Sequence, residues 1–316
     1  MSTTTPALDP PPAAAPGAMP LSRLLDDRLR DRPAAQAALA WALGQRGLAE
    51  HGRLPLWDPA LPFLLCLSQK AASTTALKWW LHHLGRLDEA LAHDRWIHNF
   101  ETGVIKAAPG YRRGVEAAVR DGLPIVKVVR EPTARAYGGY LSLHEKHVFN
   151  PERRHWAAPW RAAALAFAHG AGTPLETRLS FHDYLRWLNA TPVWRMDGHF
   201  APQHGHVDRA CADRISYVRI EDGADAFRAI EARFGLETSS DARMEALGQS
   251  FHHSRQAASD AAARREAVET GIDPLTYRRT PAPAIDAAAL RDHPATRDLL
   301  ARYFARDYDA FGYARP

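Results

Sequence analysis

The residues best suited to chemistry fall in three short stretches. In Ser68-Gln69-Lys70-Ala71-Ala72-Ser73-Thr74-Thr75 a lysine stands just ahead of a run of hydroxyl side chains. The apolar run Pro62 to Leu67 precedes it and a helical pattern from Thr74 to Leu84 follows. An ammonium on a flexible stem, hydroxyl donors and the free N–H groups of a helix start together suit a phosphate or sulfate ester. A helix capped in the ordinary way by Ser or Thr is the plainer reading. The second stretch, Arg130-Glu131-Pro132-Thr133-Ala134-Arg135, closes another apolar run, Pro124 to Val129. A guanidinium there can grip two phosphate oxygens at once. Surface pairing of Arg130 and Arg135 with Glu131 or Glu145 is the competing reading. The third stretch, Trp194 to Gln203, contains Asp197 and His199. An imidazole that titrates near neutrality can take the proton of a hydroxyl, and a carboxylate two residues away can orient its ring. His82 and His83, just after the first stretch, are further candidates for that task.

Composition sharpens the first reading. Of 40 basic residues only five are lysine (Lys70, Lys78, Lys106, Lys127 and Lys146). An ammonium at a phosphate-facing turn is therefore the unusual choice in this chain. The Gly-x-x-x-x-Gly-Lys-Ser/Thr signature of common nucleotide triphosphatases is absent. A net charge of +4 and a pI near 9.2, with no recognition motif or local basic run, speak against nucleic acid as a partner. His199, His204, His206, Asp208 and Cys211 lie close together, which raises zinc as a rival, but their spacing matches no standard zinc pattern and the chain has 16 histidines. Cys66 and Cys211 suggest no disulfide framework, so a reducing compartment is expected. No apolar run reaches membrane-spanning length, and Met1 to Pro20 lacks the features of a signal peptide, so a cytoplasmic protein is expected, with peripheral membrane association left open.

The elements that must position these residues follow from periodicity. Each of the first two stretches joins a short continuous apolar run to a helical pattern, which is a buried strand, a loop and a helix. Two such units predict a parallel sheet with helices on its faces. Arg214 to Ile220 alternates as a half-buried strand, and helices are predicted over 177–188, 224–234, 254–268 and 287–308. The Pro/Ala-rich residues 1–20 read as a disordered tail, and 21–56 as an N-terminal helical segment interrupted at Pro33. Residues 57–316 then form one α/β catalytic domain. His252-His253 and the helix after it read as a solvated face.

Leu67 to Thr75 resembles the 5′-phosphosulfate loop of carbohydrate sulfotransferases (sulfotransferase family 2, the chondroitin 4-O-sulfotransferase-like group), which use 3′-phosphoadenosine-5′-phosphosulfate (PAPS). Arg130 to Tyr140 is similar to that family's 3′-phosphate motif: the first arginine, the acid, the proline, the second arginine and the tyrosine all match in register. Gly138 stands where the family usually has a serine. Asp197 to Gln203 resembles the segment beside the acceptor, Phe181 to Leu185 a helix upstream of it, and Asp307-Tyr308 with Phe311-Gly312-Tyr313 the closing pattern. The likeness runs from about Leu61 to Tyr313.

The resemblance implies a P-loop-like, mostly parallel central sheet with flanking helices and a largely helical second half. It implies PAPS as cosubstrate, no metal, and a carbohydrate or glycolipid hydroxyl as acceptor. Lys70 would face the oxygen that leaves with the nucleotide. Gln69, Lys70, Ala71, Ala72, Ser73, Thr74 and Thr75 would form the loop around the 5′-phosphate, and Arg130 with the backbone or a water at Gly138 would hold the 3′-phosphate. His199 is the candidate base. A nucleotide-dependent kinase-like phosphotransferase and a His/Cys metal-binding protein are the alternatives.

Overall fold

A computed structural model of the chain describes residues 53–150, 152, 155–249, 256–258, 261–274 and 282–316. The tail, most of the N-terminal helical segment and His252-His253 lie outside these residues.

Among the described residues the fold is mixed α/β and mainly helical, with a small three-stranded parallel sheet. Strands β1 (Leu64–Leu67), β2 (Ile125–Val129) and β3 (Ile215–Arg219) lie in that spatial order. Leu65 pairs with Val126, and Val126 in turn with Ser216. Every residue of β1 and β2 is buried, which is why both read as apolar runs, broken only by Lys127 in β2. Leu56 adds an antiparallel bridge to Leu65.

Helix α1 (Ser73–His83) follows β1, and α2 (Tyr111–Arg120) precedes β2. Helix α3 (Pro132–Ser142) follows β2. The second half contributes α4 (Ala158–His169), α5 (Phe181–Ala190), α6 (Gly223–Phe234), α7 (Pro294–Tyr303) and α8 (Ala305–Phe311). One core cluster gathers Trp79, Trp80, Phe63 and Phe227 between α1, β1 and α6. A second joins Tyr137 and Tyr140 of α3 to Phe181, Tyr184 and Leu188 of α5 and to Phe200.

Three helical expectations change. The helix expected over 177–188 begins at Phe181, because the Ser180 hydroxyl accepts the Asp183 N–H at 2.9 Å and fixes the start there. The stretch 287–308 is three helices, since Pro294 cannot continue Ala287–Arg291 and instead opens α7 under a His293 cap. Within 254–268, Gln256–Ala258 is a strand paired in parallel with Ala282–Ala284, and Ala261–Arg265 is helical. That pairing partner is remote in sequence, and local periodicity carries no trace of it.

One polar residue interrupts the apolar run of β2. Lys127 is fully buried, and its ammonium donates to Asp208 and to the Gln203 carbonyl, both at 2.6 Å. Asp208 also accepts from the Tyr217 hydroxyl at 3.0 Å and the Gly205 N–H at 2.7 Å. A buried charge of this kind is tolerable only when paired and hydrogen-bonded. The pair ties the segment carrying His199 to the middle of the sheet.

Candidate functional site

The loop between β1 and α1 has an unusual backbone. Lys70 (φ 63°) and Ala72 (φ 50°) both adopt left-handed conformations without being glycine. Each costs roughly 1–2 kcal/mol against the ordinary alternative. Ala72 is also the N-cap of α1, and no side chain caps that helix. The opening turn, with Ser73, Thr74 and Thr75, therefore presents amides and hydroxyls where an anion gains most from a helix end. Ala71 is buried, and its N–H closes a tight turn onto the Ser68 carbonyl at 3.3 Å.

The loop after β2 is built differently. Glu131 caps α3 by accepting the Ala134 N–H at 2.6 Å, with Pro132 at the first helical position. The Arg130 backbone is locked on both sides by the Gln203 amide: its N–H donates to Oε1 at 2.9 Å and its carbonyl accepts from Nε2 at 2.7 Å. The Arg130 guanidinium reaches across to the Lys70 carbonyl at 3.2 Å, so the two loops are joined. A Cβ built on Gly138 would stand 3.6 Å from Arg130 Nη1 and 3.8 Å from Lys70 Cβ, in ordinary contact with both. Gly138 thus borders the space between two cations, which fits an anionic phosphate group.

Arg135 holds the three stretches together. It is 1% exposed and donates to the carbonyls of Gln69 (2.8 Å), Ala201 (2.7 Å) and Gly198 (2.6 Å). Surface pairing with Glu131 or Glu145 is therefore not its role; it fastens the first loop to the histidine segment. The Gln69 side chain packs so close to Gly198 that a Cβ there would fall 2.6 Å from its amide, which leaves room for glycine alone. The close approach also requires Gly139, where a Cβ would fall 2.9 Å from the His199 carbonyl. Asp307, fully buried, accepts the N–H groups of Gln203 and His204 at 2.8 and 2.7 Å and balances Arg135 electrostatically.

His199 sits beside Lys70. Its Nδ1 lies 2.6 Å from Asp197 Oδ1, and the same oxygen accepts the His199 N–H at 2.8 Å. A carboxylate on Nδ1 fixes the proton there and leaves Nε2 with a lone pair, the arrangement a base needs. Burial pulls the imidazole below its ordinary value, Asp197 opposes this by charge and hydrogen bond, and Lys70 and Arg135 add to the lowering. Trp156 stacks on the ring with centroids 4.1 Å apart and planes at 29°. Lys70 is also pulled down, first by burial and then by Arg130 and Arg135, against the opposing charges of Glu145 and Asp197. Its ammonium is 3.8 Å from Glu145.

Other candidates fall elsewhere. His82 and His83 stand at the far end of α1, about 14 Å from its first turn by helical rise, and His83 pairs with buried Glu231 at 3.1 Å. Asp208 is committed to Lys127 and Cys211 is buried, so the proposed zinc set is not assembled. Among the described residues no group of three or more His, Cys, Asp or Glu is gathered as for a metal ion. No periodicity marks Trp156 or Glu145 for the site; Arg135 reads in the sequence as half of a surface pair or, by resemblance, as the second arginine of the 3′-phosphate motif, and neither reading gives it the role of joining the first loop to the histidine segment. Nor is any helix among the described residues long and apolar enough to cross a membrane. No protein-family model, curated protein or solved structure matches the chain.

Proposed function

We propose that the chain is a PAPS-dependent sulfotransferase that moves a sulfuryl group to a hydroxyl of a carbohydrate or glycolipid in the cytoplasm, with the unit β1, loop and α1 serving as a P-loop-like phosphate site. The observation that carries this reading is the convergence of Lys70, Arg130 and the Asp197–His199 pair, with Arg135 bonded to carbonyls of both the first loop and the histidine segment. The donor's 5′-phosphosulfate would lie at the open start of α1 and its 3′-phosphate against Arg130.

In this reading the acceptor oxygen attacks sulfur in line with the bond to the 5′-phosphate. One S–O bond forms as the other breaks, and the nucleotide leaves as 3′-phosphoadenosine-5′-phosphate (PAP). The acceptor's proton passes to His199 Nε2. Charge accumulates on the leaving phosphate oxygen, where Lys70 and the amides of α1 would meet it, so most of the rate enhancement is positioning and charge stabilisation, as in phosphoryl transfer. The Trp156 face holds the imidazole flat and shields it on one side.

Thermal stabilisation of the full chain by PAP, compared with ATP plus Mg²⁺, tests the reading, because a ligand that binds only the folded state raises its stability by mass action. PAP is expected to stabilise at concentrations where ATP with Mg²⁺ does not. The opposite preference overturns the assignment in favour of a phosphotransferase.

A further inference from the structure

Thr74, in the first turn of α1, has a partner outside the loop. Its Oγ1 lies 3.2 Å from His98 Nε2, and the other ring nitrogen, Nδ1, lies 2.7 Å from Glu101 Oε2. Hydroxyl, imidazole and carboxylate are thus in series, the geometry by which a carboxylate fixes a histidine tautomer and the histidine directs a hydroxyl. Glu101 is 1% exposed. It accepts from Arg53 Nη2 at 2.6 Å, Arg53 Nε at 3.1 Å and Lys106 Nζ at 2.6 Å. Burial alone would push its carboxyl up, but the Arg53 charge, the His98 hydrogen bond and Lys106 outweigh this and hold it well below the usual carboxylate range. Glu101 is therefore held as a carboxylate; Arg53 Nη2 also stands 3.3 Å from His98 Nδ1, but the shorter 2.7 Å contact with that carboxylate makes Nδ1 the nitrogen that carries the proton. Trp96 packs edge-on against the imidazole at 4.8 Å. Among the described residues, Cys66 of β1 and Tyr111 of α2 also interact with the charges of the cluster.

With Nδ1 committed, the state of Nε2 decides which way the Thr74 proton points. A neutral ring offers Nε2 as an acceptor, and the Thr74 hydroxyl donates into it, away from the loop. A protonated ring donates from Nε2 to Thr74 Oγ1, and the hydroxyl proton is released toward whatever occupies the start of α1. An anion there favours the second state. We propose that His98, backed by Glu101, is a positioning residue that aims the Thr74 hydroxyl, so that binding of a phosphosulfate ester at the α1 loop takes up a proton on His98. The proposal rests on the phosphate-loop reading of residues 68–75 and adds to it a coupling that no residue of the loop supplies by itself.

The test is the affinity of the full chain for adenosine 5′-phosphosulfate, whose own anionic groups stay ionised, measured by calorimetry from about pH 5.5 to pH 8. Wild type is expected to bind more tightly as pH falls, by up to about tenfold per unit where binding takes up one proton. His98→Gln, whose amide can donate to Thr74 at every pH, and Thr74→Val should each lose that His98-linked part of the slope. A variant that merely loosens packing would shift the curve and keep its slope. Equal slopes in wild type and both variants overturn the proposal and leave the loop reading standing. No binding to wild type at any pH overturns both. Imidazole nitrogen NMR of the free protein gives a readout independent of ligand and of variant folding: neutral His98 should carry its proton on Nδ1, and a proton on Nε2 overturns the relay.

Discussion

The two strand-loop-helix units share a plan and differ in what they leave open. Helix α1 starts from a left-handed Ala72 with no side-chain cap, whereas α3 starts from Glu131, which caps it, and from Pro132, which has no N–H to offer. A carboxylate already seated at the start of α3 both satisfies its dipole and repels a second anion. The second loop can therefore meet an anion only through a side chain, Arg130, whose backbone Gln203 holds rigid. The first meets it with backbone amides, hydroxyls and a mobile ammonium. A grip by side chain selects by charge and position, while a grip by amides suits a group whose charge grows during reaction. The difference assigns discrimination to the second loop and chemistry to the first.

The largest expected effect concerns the residue that serves neither loop. His199→Ala should lower turnover by about 10²–10⁴-fold while leaving PAP affinity nearly intact, because the imidazole acts only on the acceptor proton. Burial lowers the His199 value below its ordinary range, so the neutral, active form persists to below about pH 6.5. The wild-type rate should fall only as pH drops through that lowered value, and the variant should lack this limb. A loss of PAP affinity comparable to the loss of rate would place His199 with the loops instead.

Next in size is the division of labour itself. Arg130→Ala should weaken PAP by about 2–5 kcal/mol, as when one partner of a buried, hydrogen-bonded charge pair is removed, and should leave adenosine 5′-phosphate little changed. Lys70→Ala should weaken both nucleotides alike and lower turnover as well. Calorimetry with the two nucleotides separates these patterns, and identical losses in both variants would erase the distinction between the loops.

Much of this arrangement was legible in the sequence, for reasons that are local. The strands of the three-stranded sheet lie within Pro62–Leu67, Pro124–Val129 and Arg214–Ile220 because buried parallel strands leave apolar runs, here broken only by Lys127, and a half-buried one alternates. Asp197 and His199, two residues apart, do meet. What was hidden depends on contacts between distant segments. Arg135 looks like half of a surface ion pair until Gly139 lets the chain at 198–201 approach closely enough to put three carbonyls on its guanidinium. Trp156 reaches His199 from a stretch with no periodic signal. The strand Gln256–Ala258 is hidden for the same reason, since its partner is Ala282–Ala284.

A smaller effect sharpens the second loop. Gly138 lies inside α3, and a Cβ there would make ordinary contacts near Arg130 Nη1. Gly138→Ser should tighten PAP by up to about 1.5–3 kcal/mol, the net worth of a hydrogen bond to a charged group, without affecting adenosine 5′-phosphate. Weaker PAP binding would show that the glycine is there so that the anion can approach the backbone.

The smallest effect probes the open helix start of the first loop. Ala72 carries a left-handed backbone that costs an alanine roughly 1 kcal/mol and a glycine almost nothing. Ala72→Gly removes that strain from the folded state, but it also gives the unfolded chain freedom worth about 0.4–1 kcal/mol, so the two changes nearly cancel. Stability in urea should move by less than about 1 kcal/mol, and because amides rather than the methyl group meet the anion, PAP affinity should hold. Glu131→Ala at the equivalent start of α3 removes a cap and should cost about 0.5–2 kcal/mol. If both substitutions cost the same, the two helix starts are alike after all, and the open end of α1 is not set apart for an anion. If Ala72→Gly instead loosens PAP while leaving stability unchanged, the left-handed alanine is a means of holding the amides in place, and its strain belongs to binding rather than to folding.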